Sequence, residues 1–143
     1  MPVEVLVNLW LGSVEDAFDK GFMTSNNIDL IINCSLEVDY PSHMRHIRFP
    51  LTSYFTNDSK EANEFFLQNI MEVCGHIKKT LHENNGVLIY CYDGIQASPA
   101  VLVAYVMITG RVNSDTAIQA IKTKAPWVFE PYIAYKYALR SLG

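Results

Sequence analysis

Twelve consecutive residues constrain this chain more than any others: Val87-Leu88-Ile89-Tyr90-Cys91-Tyr92-Asp93-Gly94-Ile95-Gln96-Ala97-Ser98. The short apolar run from Val87 to Ile89 reads as a buried strand. It leads into a cysteine, a loop with Gly94 at its middle, and Ser98 at its end. Pro99 to Met107 then reads as a helix that is apolar nearly all round, hence buried. Pro99 suits a first helical turn, where its missing N–H costs nothing. Strand, cysteine, tight loop and helix N-terminus in that order predict a cradle of amides above the Cys91 sulfur. Such a cradle suits an anion, and a thiolate aimed into it is a nucleophile for phosphoryl groups.

The rest of the chain supplies an α/β frame around this stretch. Val3 to Leu11 alternates partially and reads as one strand. Leu9-Trp10-Leu11-Gly12-Ser13 turns into a helix that Ser13 caps, with Glu15 and Asp16 in its first turn. Phe18 and Phe22, four apart, are expected to face inward. Asn26-Asn27 ends that helix, and Ile28 to Cys34 reads as a buried strand. Glu37 to His46 reads as loop, Ile47 to Leu51 as a short strand interrupted by Pro50, and Ser53 to Ser59 as loop. Phe65, Phe66, Ile70, Val73, Ile77 and Leu81 recur at helical spacing and predict one long helix over 60–84. Gly110 reads as a C-cap, Asn113 or Ser114 as the next N-cap, and 132–142 as a terminal helix with Tyr135 and Leu139 inward.

The 143 residues, half of them hydrophobic, suit a single globular domain over 1–143 with a real core. A formal net charge of −4 argues against nucleic-acid or anionic-membrane surfaces. Cys34, Cys74 and Cys91 have no metal-ligand spacing, and Cys34 and Cys74 fall in apolar patterns. Buried thiols of this kind fit a reducing compartment, so cytoplasm or nucleus is expected. His43 and His46 lack partners at ligand spacing, so no metal and no cofactor is expected. The first residues lack a basic segment before an apolar run and the longest apolar runs are too short to span a bilayer, so neither a secretion signal nor a membrane span is expected.

The twelve-residue stretch resembles the signature loop of the dual-specificity branch of the cysteine-based protein tyrosine phosphatase superfamily. The family pattern is His-Cys, five residues, then Arg and a Ser or Thr. Cys91 matches the nucleophile, Gly94 the loop glycine and Ser98 the hydroxyl after the arginine. Leu-Trp-Leu-Gly-Ser near the start, the Ala-Tyr-Val-Met helix and the Lys-x-Lys-x-Pro segment extend the resemblance over almost the whole chain. It implies an α/β fold: a mostly parallel or mixed sheet of about five strands with helices on both faces. Two positions depart from the pattern. Tyr90 stands where the family has histidine, and Ala97 where it has the arginine.

The departures bear on chemistry. The family arginine forms a bidentate pair with phosphate, so alanine forgoes about 3–6 kcal/mol of charge-assisted hydrogen bonding. Asp93 adds a like charge beside the thiol. No other Arg or Lys lies in the loop; Lys122 and Lys124, further on, are candidates for its rim. The family's general acid would fall near Thr52 or Ser53, neither of which suits the role, and Asp58 is the nearest carboxylate. Loss of a general acid costs about 10²–10⁴ in rate.

The resemblance with these losses implies a pseudophosphatase of the STYX-like type, a binding or regulatory module for proteins. Phosphoproteins or kinase-pathway components are the implied partners. Cys91, Ala97 and Ser98 mark the vestigial centre, and Tyr92, Asp93, Gly94, Ile95 and Gln96 its anion loop. A floor of Tyr90, Tyr92, Ile95 and Ala97 is expected to be more apolar than an active pocket. Tyr90, Tyr54, Phe55, Trp127, Phe129 and Tyr132 are candidates for a partner surface; each could equally be core, as Tyr135 is expected to be. The competing readings are a weak or specialised phosphatase that uses Cys91, and a phosphate reader without hydrolysis.

Overall fold

In the computed structural model, which describes residues 2–36, 44–51, 60–130 and 132–143, the chain folds around the strand that precedes Cys91. The strands are β1 (Val3–Leu6), β2 (Leu9–Gly12), β3 (Ile28–Asn33), β4 (Arg45–Arg48) and β5 (Gly86–Tyr90). They form one sheet in the order β1-β2-β5-β3-β4. Only β1–β2 is antiparallel; β2–β5, β5–β3 and β3–β4 are parallel. The expected mixed five-stranded α/β sheet is therefore present, with β5 at its centre.

The helices are α1 (Val14–Ala17), α2 (Lys20–Ser25), α3 (Lys60–His82), α4 (Ala97–Gly110), α5 (Ser114–Lys122) and α6 (Lys136–Leu142). They cover both faces. Leu88 and Tyr90 of β5 pack with Ile31, Ala17 and Met23 on one side. Val87, Ile89 and Cys91 point to the other side, into the larger core with α3, α4, α5 and α6. That alternation follows from the period of two along a strand. A strand covered on both faces reads as a continuous apolar run, which is what β5 shows. Each fully buried Leu or Ile in it, such as Leu88 and Ile89, contributes about 1.5–3 kcal/mol.

Several local expectations are corrected. The stretch over 3–11 is two strands, because Asn8 adopts a left-handed φ of 67° and reverses the chain. Its amide donates to Glu4 Oε2 at 2.9 Å. Phe18 is exposed: Asp19 caps a second helix by accepting from Phe22 N–H at 3.0 Å, so Phe18 and Phe22 do not share one helix face. Phe22 meets Trp10 edge-on, with ring centres 5.0 Å apart. β4 begins at Arg45, two residues earlier than expected, and ends at Arg48, three earlier, so Arg45 and His46 are strand and Pro50 lies beyond it. The α3 helix ends at His82, and Phe65 on it is partly exposed while stacking on Phe49.

The C-cap of α4 is Arg111 in the left-handed region, not Gly110. Asn113 caps α5, its side chain accepting from Thr116 N–H at 2.9 Å. The last helix begins only at Lys136, because Tyr135 is left-handed with a φ of 60°. Tyr135 is buried and stacks on Phe66 at 5.4 Å. Asn63 of α3 accepts from Ala138 N–H at 2.8 Å, tying α6 to α3.

Candidate functional site

The loop over 91–96 joins the C-terminal end of the central strand to the N-terminus of the buried helix α4. In parallel α/β sheets this is where ligands bind. Gly94 has a φ of 76°, which side chains rarely adopt, and a Cβ there would stand 3.2 Å from the Gly12 carbonyl. The β2–α1 turn thus presses on the loop, and Val14 N–H reaches the Tyr92 carbonyl at 3.4 Å. Asp16 sets that turn, its Oδ2 accepting from Ser13 N–H at 2.9 Å. On the other side, Phe129 N–H donates to the Ile95 carbonyl at 2.8 Å.

Cys91 is buried under the loop. Gly94 N–H donates to its Sγ at 3.2 Å, and Ser98 Oγ lies 3.1 Å away. These are contacts that suit a sulfur bearing negative charge. Asp93 is turned the same way. Its Oδ1 accepts from Ile95 N–H at 3.0 Å and lies 3.9 Å from Sγ. An amide of the expected cradle is therefore held by the chain's own carboxylate. Ala97 is fully buried. Its methyl group supplies no positive charge.

The expected apolar floor is corrected. Tyr90 and Ala97 are fully buried, Tyr90 on the α1–α2 side of the sheet and Ala97 in the opposite core. Of the four residues only Tyr92, 70% exposed, is openly on the surface. Instead, a cavity of about 270 Å³ opens beside the loop, bordered by Gly12, Ser13, Asp16, Asp93, Gly94 and Trp127. Its charged walls are carboxylates, which disfavour a second anion. Asp16 reads in sequence only as a helix cap; β2–α1 contact with the loop is what brings it here.

Gln96 belongs to the loop but not to the cradle. It is buried, and its Nε2 donates to the Tyr132 carbonyl at 2.7 Å while its Oε1 accepts from Ala134 N–H at 3.0 Å. It clamps the loop to the segment before α6. Nothing in the sequence marks that role, because the partners are backbone groups 36 and 38 residues away. Of the aromatics expected at a partner surface, Trp127 is 41% exposed and Tyr132 is half-buried. Phe129 is buried at a φ of 59° and Tyr90 is buried, so neither is surface. Lys122 Nζ is paired with Glu130 Oε1 at 2.9 Å. Tyr54 and Phe55, together with Thr52, Ser53, Asp58 and His43, lie outside the described residues.

The other two thiols lie away from solvent. Burial, and secondarily the neighbouring Cys91, holds the Cys34 thiol well above its ordinary pKa. Burial pushes Cys74 up to about 12. The Asn33–Tyr90 pairing of β3 and β5 explains why Cys34 and Cys91, the next residue of each strand, are neighbours.

A parallel-centred sheet, a cysteine at the end of its middle strand and a glycine loop running into a buried helix define the class of cysteine-loop phosphatase folds. Residues 9–142 match the model of the dual specificity phosphatase catalytic domain, and the chain belongs to that family. It is 31% identical over 123 residues to dual specificity protein phosphatase 1-A of Xenopus laevis, covering 86% of this chain and 32% of the relative. It is 28% identical over 125 residues to dual specificity protein phosphatase 8 of Mus musculus, covering 85% of this chain and 18% of the relative. The chain thus spans a third or less of these relatives' lengths. Among solved structures, human DUSP28 has a TM-score of 0.83 at 22% identity, covering 99% of this chain and 91% of that one. The human tyrosine phosphatase-like serine/threonine/tyrosine-interacting protein has a TM-score of 0.83 at 19% identity, covering 98% and 93%. These two likenesses bear on the fold.

Proposed function

We propose that this domain is a pseudophosphatase, a dual-specificity-phosphatase fold that acts as a protein-binding, regulatory module. One observation carries the reading: Asp93 Oδ1 holds the Ile95 amide at 3.0 Å, with buried Ala97 in the arginine position. A substrate phosphate would have to displace a carboxylate from the amide that should receive it, with no guanidinium to offset the charge. The exposed Tyr92 on the loop and the exposed Trp127 at the cavity beside it supply aromatic surface for a protein partner. Family membership makes phosphoproteins and components of kinase pathways the partners of choice, met in the cytoplasm or nucleus. The net charge of −4 speaks against nucleic acid or anionic lipid in that role.

A second reading has an observation of its own. Gly94 N–H and Ser98 Oγ still surround Cys91 Sγ at 3.2 and 3.1 Å, so a slow phosphatase that uses Cys91 keeps part of its nucleophile's support. Hydrolysis of p-nitrophenyl phosphate separates the two. The pseudophosphatase reading predicts a rate equal to that of Cys91→Ser; turnover that Cys91→Ser abolishes supports the second reading. The phosphate reader, the third possibility, requires tight oxyanion binding at Gly94 and Ile95 without turnover.

A further inference from the structure

A second cluster of polar groups lies at the opposite end of α4. That helix has 14 residues, about 21 Å at 1.5 Å per residue. Cys91 sits before its first turn, while α5 begins just after its last. A cavity of about 240 Å³ opens at the start of α5, bordered by Ser114, Asp115, Ile118, Lys136, Leu139 and Arg140. Ser114, 7% exposed as a residue, lines this cavity, and its hydroxyl makes no hydrogen bond to any described residue. Lys136 and Arg140 stand one turn apart on α6, and neither has an ion-pair partner among the described residues. In α5, nine residues long, Asn113 already satisfies the Thr116 amide. The amides of Ser114 and Asp115 have no intrahelical acceptor.

We infer that this cavity is a binding site for a tetrahedral oxyanion, a phosphate monoester or inorganic phosphate, separate from the cysteine loop. Two cations, the Ser114 hydroxyl, which has no protein partner among the described residues, and the positive end of α5 border one space of suitable size. Ile118 and Leu139 give it an apolar floor. A neighbouring cavity of about 360 Å³ shares Lys136 and Arg140 and adds Tyr137 and Ser141. An organic stem on the phosphate would lie there, against the 65% exposed Tyr137 ring. Asp115 is the opposing charge at the rim and weakens the site without closing it.

The test is a titration of the whole isotope-labelled domain, followed through its amide resonances. Inorganic phosphate is added at constant ionic strength, then a phosphoserine peptide and the same peptide without phosphate. The expected result is saturable shifts at Ser114, Asp115 and Thr116, half-complete at about 1–10 mM phosphate. The exposed pair Lys136→Ala and Arg140→Ala should weaken this at least tenfold, roughly one charged hydrogen bond. Asp115→Asn should tighten it about threefold by removing a like charge. Tighter binding of the phosphopeptide than of phosphate identifies a phosphorylated chain as the ligand; equal binding identifies the free anion. Absence of saturable shifts at these amides, or shifts unchanged in the Lys136/Arg140 double variant, overturns the site.

Discussion

Replacing Asp93 should open the cradle to oxyanions. In the structure its Oδ1 occupies the point from which Ile95 N–H, 3.0 Å away, would hold a phosphate oxygen. Carboxylate and oxyanion therefore compete for one donor. A charge-assisted hydrogen bond contributes about 1.5–3 kcal/mol, nearer the lower figure at an exposed loop. A carboxylate that swings aside still lies within about 5 Å of the incoming dianion, a repulsion of about 1 kcal/mol in screened water. Asp93→Ala removes both effects and should raise oxyanion affinity about tenfold to a hundredfold, at 1.4 kcal/mol per decade. Asp93→Asn keeps an acceptor of the same shape and removes only the charge, so it should gain about fivefold. The assay is a vanadate or phosphate titration read at the Gly94 and Ile95 amides, which keeps it distinct from any binding at α5. An Asp93→Ala protein that folds normally yet binds no more tightly at those amides refutes the competition. Adding Ala97→Arg to Asp93→Ala tests the other half, since it restores the phosphate fork if the buried position can be re-opened.

Gln96→Ala should destabilise the fold by about 2–4 kcal/mol, because it leaves Ala134 N–H and the Tyr132 carbonyl without their partner. The melting temperature should fall by about 5–15 °C in calorimetry. The Cys74 thiol, pushed up to about 12 by burial, predicts an alkaline loss of stability. Above pH 9 the unfolded chain releases this proton and the folded one does not, so stability falls as pH rises from 9 towards 12. At pH 10 the loss is about 1.4 kcal/mol. Denaturant midpoints measured from pH 8 to pH 10 check this: Cys74→Ala should flatten the slope relative to the parent.

The frame was legible because its signals are local and periodic. The apolar run of β5, the spacing along α3 and the caps Ser13 and Asn113 each act within a few residues. What was not legible depends on left-handed residues and on direction. Asn8, Arg111 and Tyr135 take positive φ without being glycine, and each moved a boundary. Tyr90 looked like site floor because it adjoins Cys91, yet consecutive strand residues face opposite sides of the sheet. Cys91, Gly94 and Ser98 stand together as the loop pattern implies. That Asp93 would turn inward onto Ile95 N–H, and that Gln96 would turn away to hold 132–134, are choices of side-chain direction. No residue pattern encodes them.

The central claim is that Cys91 no longer accepts a phosphoryl group. A single-turnover experiment tests it most directly: excess domain is mixed with an aryl phosphate whose leaving group needs no proton, then quenched in acid and weighed intact. A cysteinyl-phosphate intermediate would add about 80 Da, even if its later hydrolysis were slow. The account predicts a mass unchanged from that of the untreated protein, as in Cys91→Ser. An added phosphoryl group that maps to Cys91 and is missing in Cys91→Ser would contradict it.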